Sequence, residues 1–278
     1  MTTFYWDELA EPETAERLDS LIGARSGTSV TIGGFDGPHL GHAALFSAVF
    51  DAARSDRLLP GVVTFTRSPR FAKDAAGYAG DVSTLSLRME RFRRLGFAFA
   101  VLIDFSADFG KMTGAVFFDN LVKTVRMRYL AVGPDFRCGH RLDTGVAEIA
   151  SLARKEGFRF DSIPLVERDG GRISSSLIRD AVSSADFARA ESLLGHPFLL
   201  DLTVPLWEES SGGLEAPRDS IDQIVPRVGE YKVSIKDASG ALRPAKLTVR
   251  DGSVRLDPEE GKTLPDALDI ETAEFRLS

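Results

Sequence analysis

Between residues 29 and 200, short runs rich in β-branched and apolar residues alternate with longer stretches of helical periodicity, and that alternation leaves few folds open. The strand-like runs are "SVTI" at 29–32, "GVVTF" at 61–65, "FAVLI" at 99–103, "YLAVG" at 129–133 and "FDSIPL" at 160–165. Between them the pattern predicts helices over 41–55, 84–95, 113–127 and 144–157. In the first of these, Leu45, Val49 and Ala52 recur at the spacing of one helical face, with Phe46 and Phe50 beside them. Strands separated by helices cannot pair as tight hairpins, so the run predicts an α/β domain with a parallel sheet and crossover helices.

The pattern changes after "SLLGHP", where Gly195 suits the position past a helix end and Pro197 cannot continue a helix. Short strands follow at 199–207, 230–236, 245–250 and 253–257, and Asp251-Gly252 between the last two is a strong hairpin signal. The segment 208–220, "EESSGGLEAPRDS", reads as a polar loop. The predicted division is therefore an α/β domain over 1–198 and a small β-rich domain over 199–278.

Composition narrows the function classes. With 34 basic against 41 acidic residues the chain carries a formal charge of −7, which argues against a binder of nucleic acid or of anionic membranes. The apolar run "FAFAVLI" at 97–103 is far too short to span a bilayer, and the acidic N-terminal stretch does not read as a secretory signal. One cysteine, Cys138, allows no intramolecular disulfide and no cysteine-based zinc site. A cytoplasmic protein is expected, of an oligomeric state the sequence leaves open.

Two stretches carry chemistry. In "SVTIGGFDGPHLGH" a strand runs into a glycine-rich turn and then a helix, an arrangement that aims backbone N–H groups at an anion. His39 and His42 are three apart, so a helix starting near Pro38 places both imidazoles on one side of its first turn, and Gly41 between them lets a phosphate approach the backbone. Such a pair stabilises the charge that develops when a nucleophile attacks phosphorus. No acidic or cysteine ligand set surrounds it beyond Asp36, so no protein-held metal is expected. Two surface histidines beside a tight turn are the bland alternative.

Downstream, in "GGRISSSLIRDAV", Ser174, Ser175 and Ser176 stand where a helix begins, and Arg179 follows one turn on. Hydroxyls, backbone N–H groups and a guanidinium together suit the β- and γ-phosphates of ATP. Taken alone, these serines read more readily as ordinary helix caps and Arg179 as a solvated helix arginine.

"GGFDGPHLGH" resembles the H-x-G-H signature of the nucleotidylyltransferase superfamily and, in its longer form, the opening motif of bacterial FAD synthetases, the riboflavin kinase/FMN adenylyltransferases. Gly34 stands where that family commonly has asparagine, and Pro38 where it often has valine. "ISSSLIR" is similar to the family's "ISST.IR", with Ser176 replacing threonine, and "VGPDFRCGHR" at 132–141 resembles its "VG.DF.FG" loop. The layout of 84–122 matches as well, so the resemblance spans roughly 28–198.

It implies a Rossmann-like nucleotidylyltransferase fold and transfer of AMP from ATP to FMN, with Mg²⁺ accompanying ATP and with FAD and pyrophosphate as products. His39 and His42 would then serve the α-phosphate, and Arg179 with Ser174, Ser175 and Ser176 the pyrophosphate. Gly33, Gly34, Phe35, Asp36 and Gly41 would line the nucleotide, Thr64 and Phe65 the flavin side, and Asp135 the nucleotide or flavin. His140 reads as a surface-loop histidine, and Cys138, at a usual phenylalanine, as a packing residue.

Two departures stand out. In "VVTFTRSPRF" Arg67 and Ser68 replace the proline and histidine of the family's "TF.PHP", while Pro69 fits, which keeps another phosphorylated acceptor open. The C-terminal part lacks the "PTAN" run of the riboflavin kinase barrel, and only "GEYKVSIK" at 229–236 is similar to one of its strands. A degenerate, kinase-inactive module is the expectation; a non-catalytic nucleotide- or flavin-binding protein is a further alternative.

Overall fold

The computed structural model describes residues 1–67, 80–105, 109–164, 166–168 and 171–276. Ser68, Pro69, Leu165 and Gly170, named above within motifs or strands, lie outside the described residues. The chain forms two compact units: Met1–Phe35 with Gly41–Ala76 and Met89–Arg172, and Asp36–Leu40 with Gly77–Arg88 and Ile173–Ser278.

The first unit holds a six-stranded sheet. Its strands are β1 (Thr2–Tyr5), β2 (Gly27–Ile32), β3 (Leu58–Phe65), β4 (Phe99–Ile103), β5 (Met127–Val132) and β6 (Arg159–Ser162), in the order β1-β4-β3-β2-β5-β6. Every neighbouring pair is parallel, as expected for strands joined by crossover helices. Strands β2 and β4 are buried along their whole length; β4 therefore reads as a continuous apolar run, while in β2 the Thr28 and Ser29 hydroxyls are satisfied by the Val125 and Val49 carbonyls.

Side chains of α1 (Pro12–Ile22), α4 (Gly114–Lys123) and α5 (Val146–Glu156) share one core with Val30, Ile32, Val63, Val101 and Leu130. Those of α2 (Ala43–Ser55) and α3 (Leu85–Leu95) share the other with Val62, Ala100 and Ala131. The alternation of strand side chains divides the helices between two faces and gives the three layers of a Rossmann-like fold.

The second unit contains α6 (Ser175–Ser183), α7 (Phe187–Leu194) and a seven-stranded antiparallel sheet. Its strands are β7 (Leu199–Asp201), β8 (Glu208–Ser210), β9 (Gly213–Pro217), β10 (Gly229–Asp237), β11 (Leu242–Val249), β12 (Ser253–Pro258) and β13 (Ile270–Phe275). The sheet order is β7-β13-β10-β11-β12-β9-β8. The Asp251-Gly252 turn joins β11 to β12, with Val249 paired to Val254.

Several elements differ from the sequence expectations. The "polar loop" at 208–220 is the β8–β9 hairpin, because Ser211 and Gly212 both take positive φ and turn the chain in two residues. Leu214 and Ala216 then point into the core, with Glu215 half-buried between them and Pro217 exposed. The strand predicted over 199–207 stops at Asp201, whose carboxylate accepts hydrogen bonds from the N–H (3.0 Å) and hydroxyl (2.6 Å) of Thr203 and so bends the chain. The helix predicted to reach residue 127 ends at Lys123, and Arg126 at φ 53° leads into β5.

Strand β1, helix α1 and strand β13 carry no expectation from the sequence. The compact units also part elsewhere than at 198/199. Helix α7 packs into the C-terminal sheet, with the Phe187 ring stacked 4.1 Å from Phe275 and edge-on to Tyr231 at 5.7 Å.

Candidate functional site

In the α/β unit the chain goes from β2 outward to β3 and β4, then returns to place β5 on the other side of β2. The crevice at the carboxyl ends of β2 and β5 is therefore the topological switch point, where open parallel sheets bind ligands. Gly33, Gly34 and Phe35 follow β2, and Thr64 and Phe65 close β3. Asp135 lies in the turn after β5, which the Phe136 N–H closes on the Gly133 carbonyl at 3.1 Å. Residues read from separate motifs thus meet at adjacent strand ends.

Local bonds fix this edge. The Gly33 N–H donates to the Val63 carbonyl at 3.1 Å, and the Thr64 hydroxyl donates to the Gly34 carbonyl at 3.2 Å. Phe35 takes a left-handed φ of 45°, held by burial of its ring against Phe46 and Phe92. The half-buried His42 ring stands edge-on to Phe35 at 5.0 Å and tilts over Phe46 at 5.9 Å, so aromatic packing sets its plane. Phe65 packs against Phe105 and Phe109.

Asp135 pairs with Arg172 at 2.6 Å, a largely solvated contact of small energetic weight. His140 sits in a loop with Nδ1 2.9 Å from the Gly110 carbonyl. Burial first, and then the nearby Asp143, push the Cys138 thiol up to about 12, which fits a packing residue rather than a nucleophile.

The second unit gathers Asp36, His39 and the start of α6. Asp36 is 8% exposed and is the hub. One carboxylate oxygen accepts the N–H groups of Val82 (2.7 Å) and Ser83 (3.2 Å), and the other pairs with the Arg179 guanidinium. The Asp36 carbonyl accepts the Ser175 hydroxyl at 2.7 Å, and the Gly37 N–H donates to the Ser83 hydroxyl at 3.0 Å. Arg179 also donates from Nε to the Gly80 carbonyl at 3.0 Å, which fixes the plane of its fork.

Burial raises the Asp36 carboxyl to about 6; Asp81 adds to the rise, while Arg179 and the two backbone donors oppose it. Ser174 is the N-cap of α6, its hydroxyl accepting the Leu177 N–H, so the capping reading holds for this serine whatever else it binds. Ser176 lies in the first turn of α6, and His39 is buried.

The α-helix expected from Pro38 begins at Ala43 instead, preceded by a single 3-10 turn over Leu40–His42. Gly37 at φ 62° and Gly41 make regular helix costly before that point. Sequence reasoning missed Gly80, Asp81 and Ser83 altogether. No local pattern marks them, since each acts through a partner distant in sequence.

Both Asp36 oxygens are taken by protein partners, so this carboxylate does not fit a resident Mg²⁺. Among the described residues no three His, Cys, Asp or Glu side chains gather as a metal site. Nor is any described helix long and apolar enough to cross a membrane.

A parallel sheet with a glycine turn after β2 at its switch point gives the first unit the architecture of a Rossmann-like nucleotide-binding protein; the capped serine–arginine helix belongs to the second. Comparison with known proteins narrows this. A family model described as FAD synthetase matches residues 22–177. The bifunctional riboflavin kinase/FMN adenylyltransferase of Escherichia coli (strain K12) is 31% identical over 217 residues, covering 76% of this chain and 69% of that protein. The FAD synthetase of Listeria monocytogenes serovar 1/2a is 25% identical over 204 residues, covering 73% and 79%.

Among solved structures, one described as a macrolide-efflux protein from Streptococcus pneumoniae superposes with a TM-score of 0.74 at 24% identity, covering 91% of this chain and 94% of that one. At that identity it supports the fold alone. The chain belongs to the FAD synthetase family and is an enzyme of the ATP-dependent nucleotidyltransferase class.

Proposed function

We propose that the protein is an FMN adenylyltransferase without riboflavin kinase activity. The observation that carries this reading is the glycine turn leaving β2 at the switch point, beside the ends of β3 and β5, in a sequence that runs on into His39 and His42. An FMN phosphate oxygen attacks the α-phosphorus of Mg-ATP in line. The new P–O bond forms as the bond to the bridging β-phosphate oxygen breaks, and pyrophosphate leaves with that electron pair. Positioning and charge stabilisation are the protein's contribution.

His39 and His42 hold the α-phosphate and the developing charge; Ser174, Ser175, Ser176 and Arg179 receive the pyrophosphate. Backbone at Gly33, Gly34, Phe35 and Gly41 lines the nucleotide, Thr64 and Phe65 border the flavin side, and Asp135 contacts nucleotide or flavin. Mg²⁺ arrives with ATP as part of the substrate. Residues 1–198 are the nucleotidyltransferase module by descent, and 199–278 descend from a kinase barrel whose missing "PTAN" run leaves no loop for a second Mg-ATP. The enzyme works in the cytoplasm, apart from nucleic acid and membranes.

Chromatography of the protein with ATP and Mg²⁺, with FMN in one reaction and riboflavin in another, tests this. FAD forms from FMN and nothing forms from riboflavin; FMN accumulating from riboflavin would refute the kinase half. Alanine at His39 or His42 lowers turnover by roughly a hundred- to a thousandfold with folding retained. A second reading, transfer to another phosphorylated acceptor, is favoured by Arg67 and Ser68 in place of the family's proline and histidine. Calorimetric titration of FMN against pantetheine, nicotinate and sugar-alcohol phosphates separates the two.

A further inference from the structure

We propose that the C-terminal β segment positions the pyrophosphate side of the transfer site, with Gln223 and Asp201 holding residues 80–84 and these in turn holding the Asp36–Arg179 pair. The inference rests on the role given to Arg179 above.

Residues 80–84 are gripped from two sides. From the β segment, the Ile224 N–H donates to the Asp81 carbonyl (2.9 Å), the Asp81 N–H donates to the Asp222 carbonyl (3.2 Å), and Gln223 Nε2 donates to the Val82 carbonyl (2.9 Å). The Thr84 hydroxyl donates to Asp201 Oδ2 at 2.5 Å. On the other side, the Val82 and Ser83 N–H groups donate to Asp36, and the Gly80 carbonyl accepts Arg179. Gly80 lies so close to the Gln223 backbone that a β-carbon there would stand 2.6 Å from the Gln223 carbonyl carbon. Asp81 and Gln223 form an isolated parallel bridge.

The chemistry of the two β-segment residues points the same way. Gln223 is 2% exposed and Asp201 3% exposed. Burying an amide and a carboxylate is costly unless each polar atom is matched. They are matched by the backbone they organise: Gln223 Oε1 accepts the Asp201 N–H (2.6 Å), and Nε2 reaches the Leu199 carbonyl (3.0 Å) besides Val82. A sheet that had only to fold would fill these positions with apolar residues. Here the polar pair fixes two carbonyls and a threonine hydroxyl, and through them the donors that set Asp36.

The test measures ATP and AMP affinity by calorimetry between pH 4.5 and 8 in the wild-type chain, Gln223→Ala, Thr84→Val and Thr84→Ser. Each is first shown by its thermal melt to be folded. Loss of one such hydrogen bond is worth about a factor of ten. Gln223→Ala and Thr84→Val weaken ATP by about that factor while AMP, which lacks the β- and γ-phosphates, changes less than about twofold; Thr84→Ser, which keeps the hydroxyl, behaves as wild type.

The pH profile distinguishes positioning from mere stability. Asp36 is faced by Arg179 of α6 and by Asp81, and it titrates at about 6. Protonation breaks the ion pair, so wild-type ATP affinity falls below that pH; water entering the loosened site in the two variants moves the fall toward the ordinary carboxylate range. Unchanged ATP affinity and an unchanged fall in the folded variants overturn the proposal. Should Gln223→Ala not fold, the partly exposed Thr84→Val decides; loss of folding in both would mean that the contacts serve stability alone, and overturns it too. A wild-type chain that shows this ATP behaviour but makes no FAD removes the FMN reading and leaves the inference standing, whereas one that binds no ATP removes both.

Discussion

Asp36 combines two opposing demands. It is buried and ion-paired, yet its carboxyl is raised to about 6 because loss of solvent, with Asp81 nearby, outweighs the attraction of Arg179. A carboxyl raised in the folded state stabilises the fold most below its unfolded value and loses that contribution as pH rises through the folded value. Urea unfolding from pH 3.5 to 7 should therefore show wild type losing about 3 kcal/mol relative to Asp36→Asn across the window from about 4 to 6. An identical pH slope in the two proteins would show that the ionised carboxylate carries no such penalty. From the sequence Asp36 was legible as a turn residue, but its guanidinium partner lies 143 positions away and belongs to a separate motif.

The connection between β2 and α2 is governed by backbone rather than by helix propensity. Gly37 sits at φ 62°, and a β-carbon there would lie 2.4 Å from Val82 Cγ1. Gly37→Ala should lower stability by about 1–3 kcal/mol, read from the melting temperature. Adding Val82→Ala relieves the crowding but not the left-handed φ, so recovery should be partial; full recovery would assign the whole cost to crowding. At α6, Ser174→Ala removes the cap on the Leu177 N–H and should cost about 1 kcal/mol by denaturant titration. From β2 to α5 strand and helix identities were legible from periodicity, whereas β1, α1 and β13 were not, nor were the start of α2 and the β8–β9 hairpin, which depend on φ values at Gly37, Ser211 and Gly212 that hydrophobic pattern does not encode.

For the whole molecule, the sequence divides at 198/199 by strand style, whereas the compact units divide by contact. A chain ending at Phe198 keeps α6 and α7 but loses the Phe275 ring that Phe187 and Phe198 pack against at 4.1 and 5.8 Å, and loses Gln223 and Asp201 as well. Such a truncation should expose its apolar faces and fail to melt cooperatively; a truncated chain with a sharp melt and wild-type ATP affinity would show that the β segment is dispensable. By itself the sequence determined the parallel α/β core, a β-rich tail, the histidine and serine–arginine motifs and the family they resemble. All of these rest on local periodicity and short spacing, which a linear chain displays directly. The tertiary structure alone decided which strand ends adjoin, that Asp36 holds Arg179, and that residues 80–84 are gripped by the β segment. Those outcomes depend on buried hydrogen bonds between positions far apart in sequence, and only the folded chain brings such partners within reach.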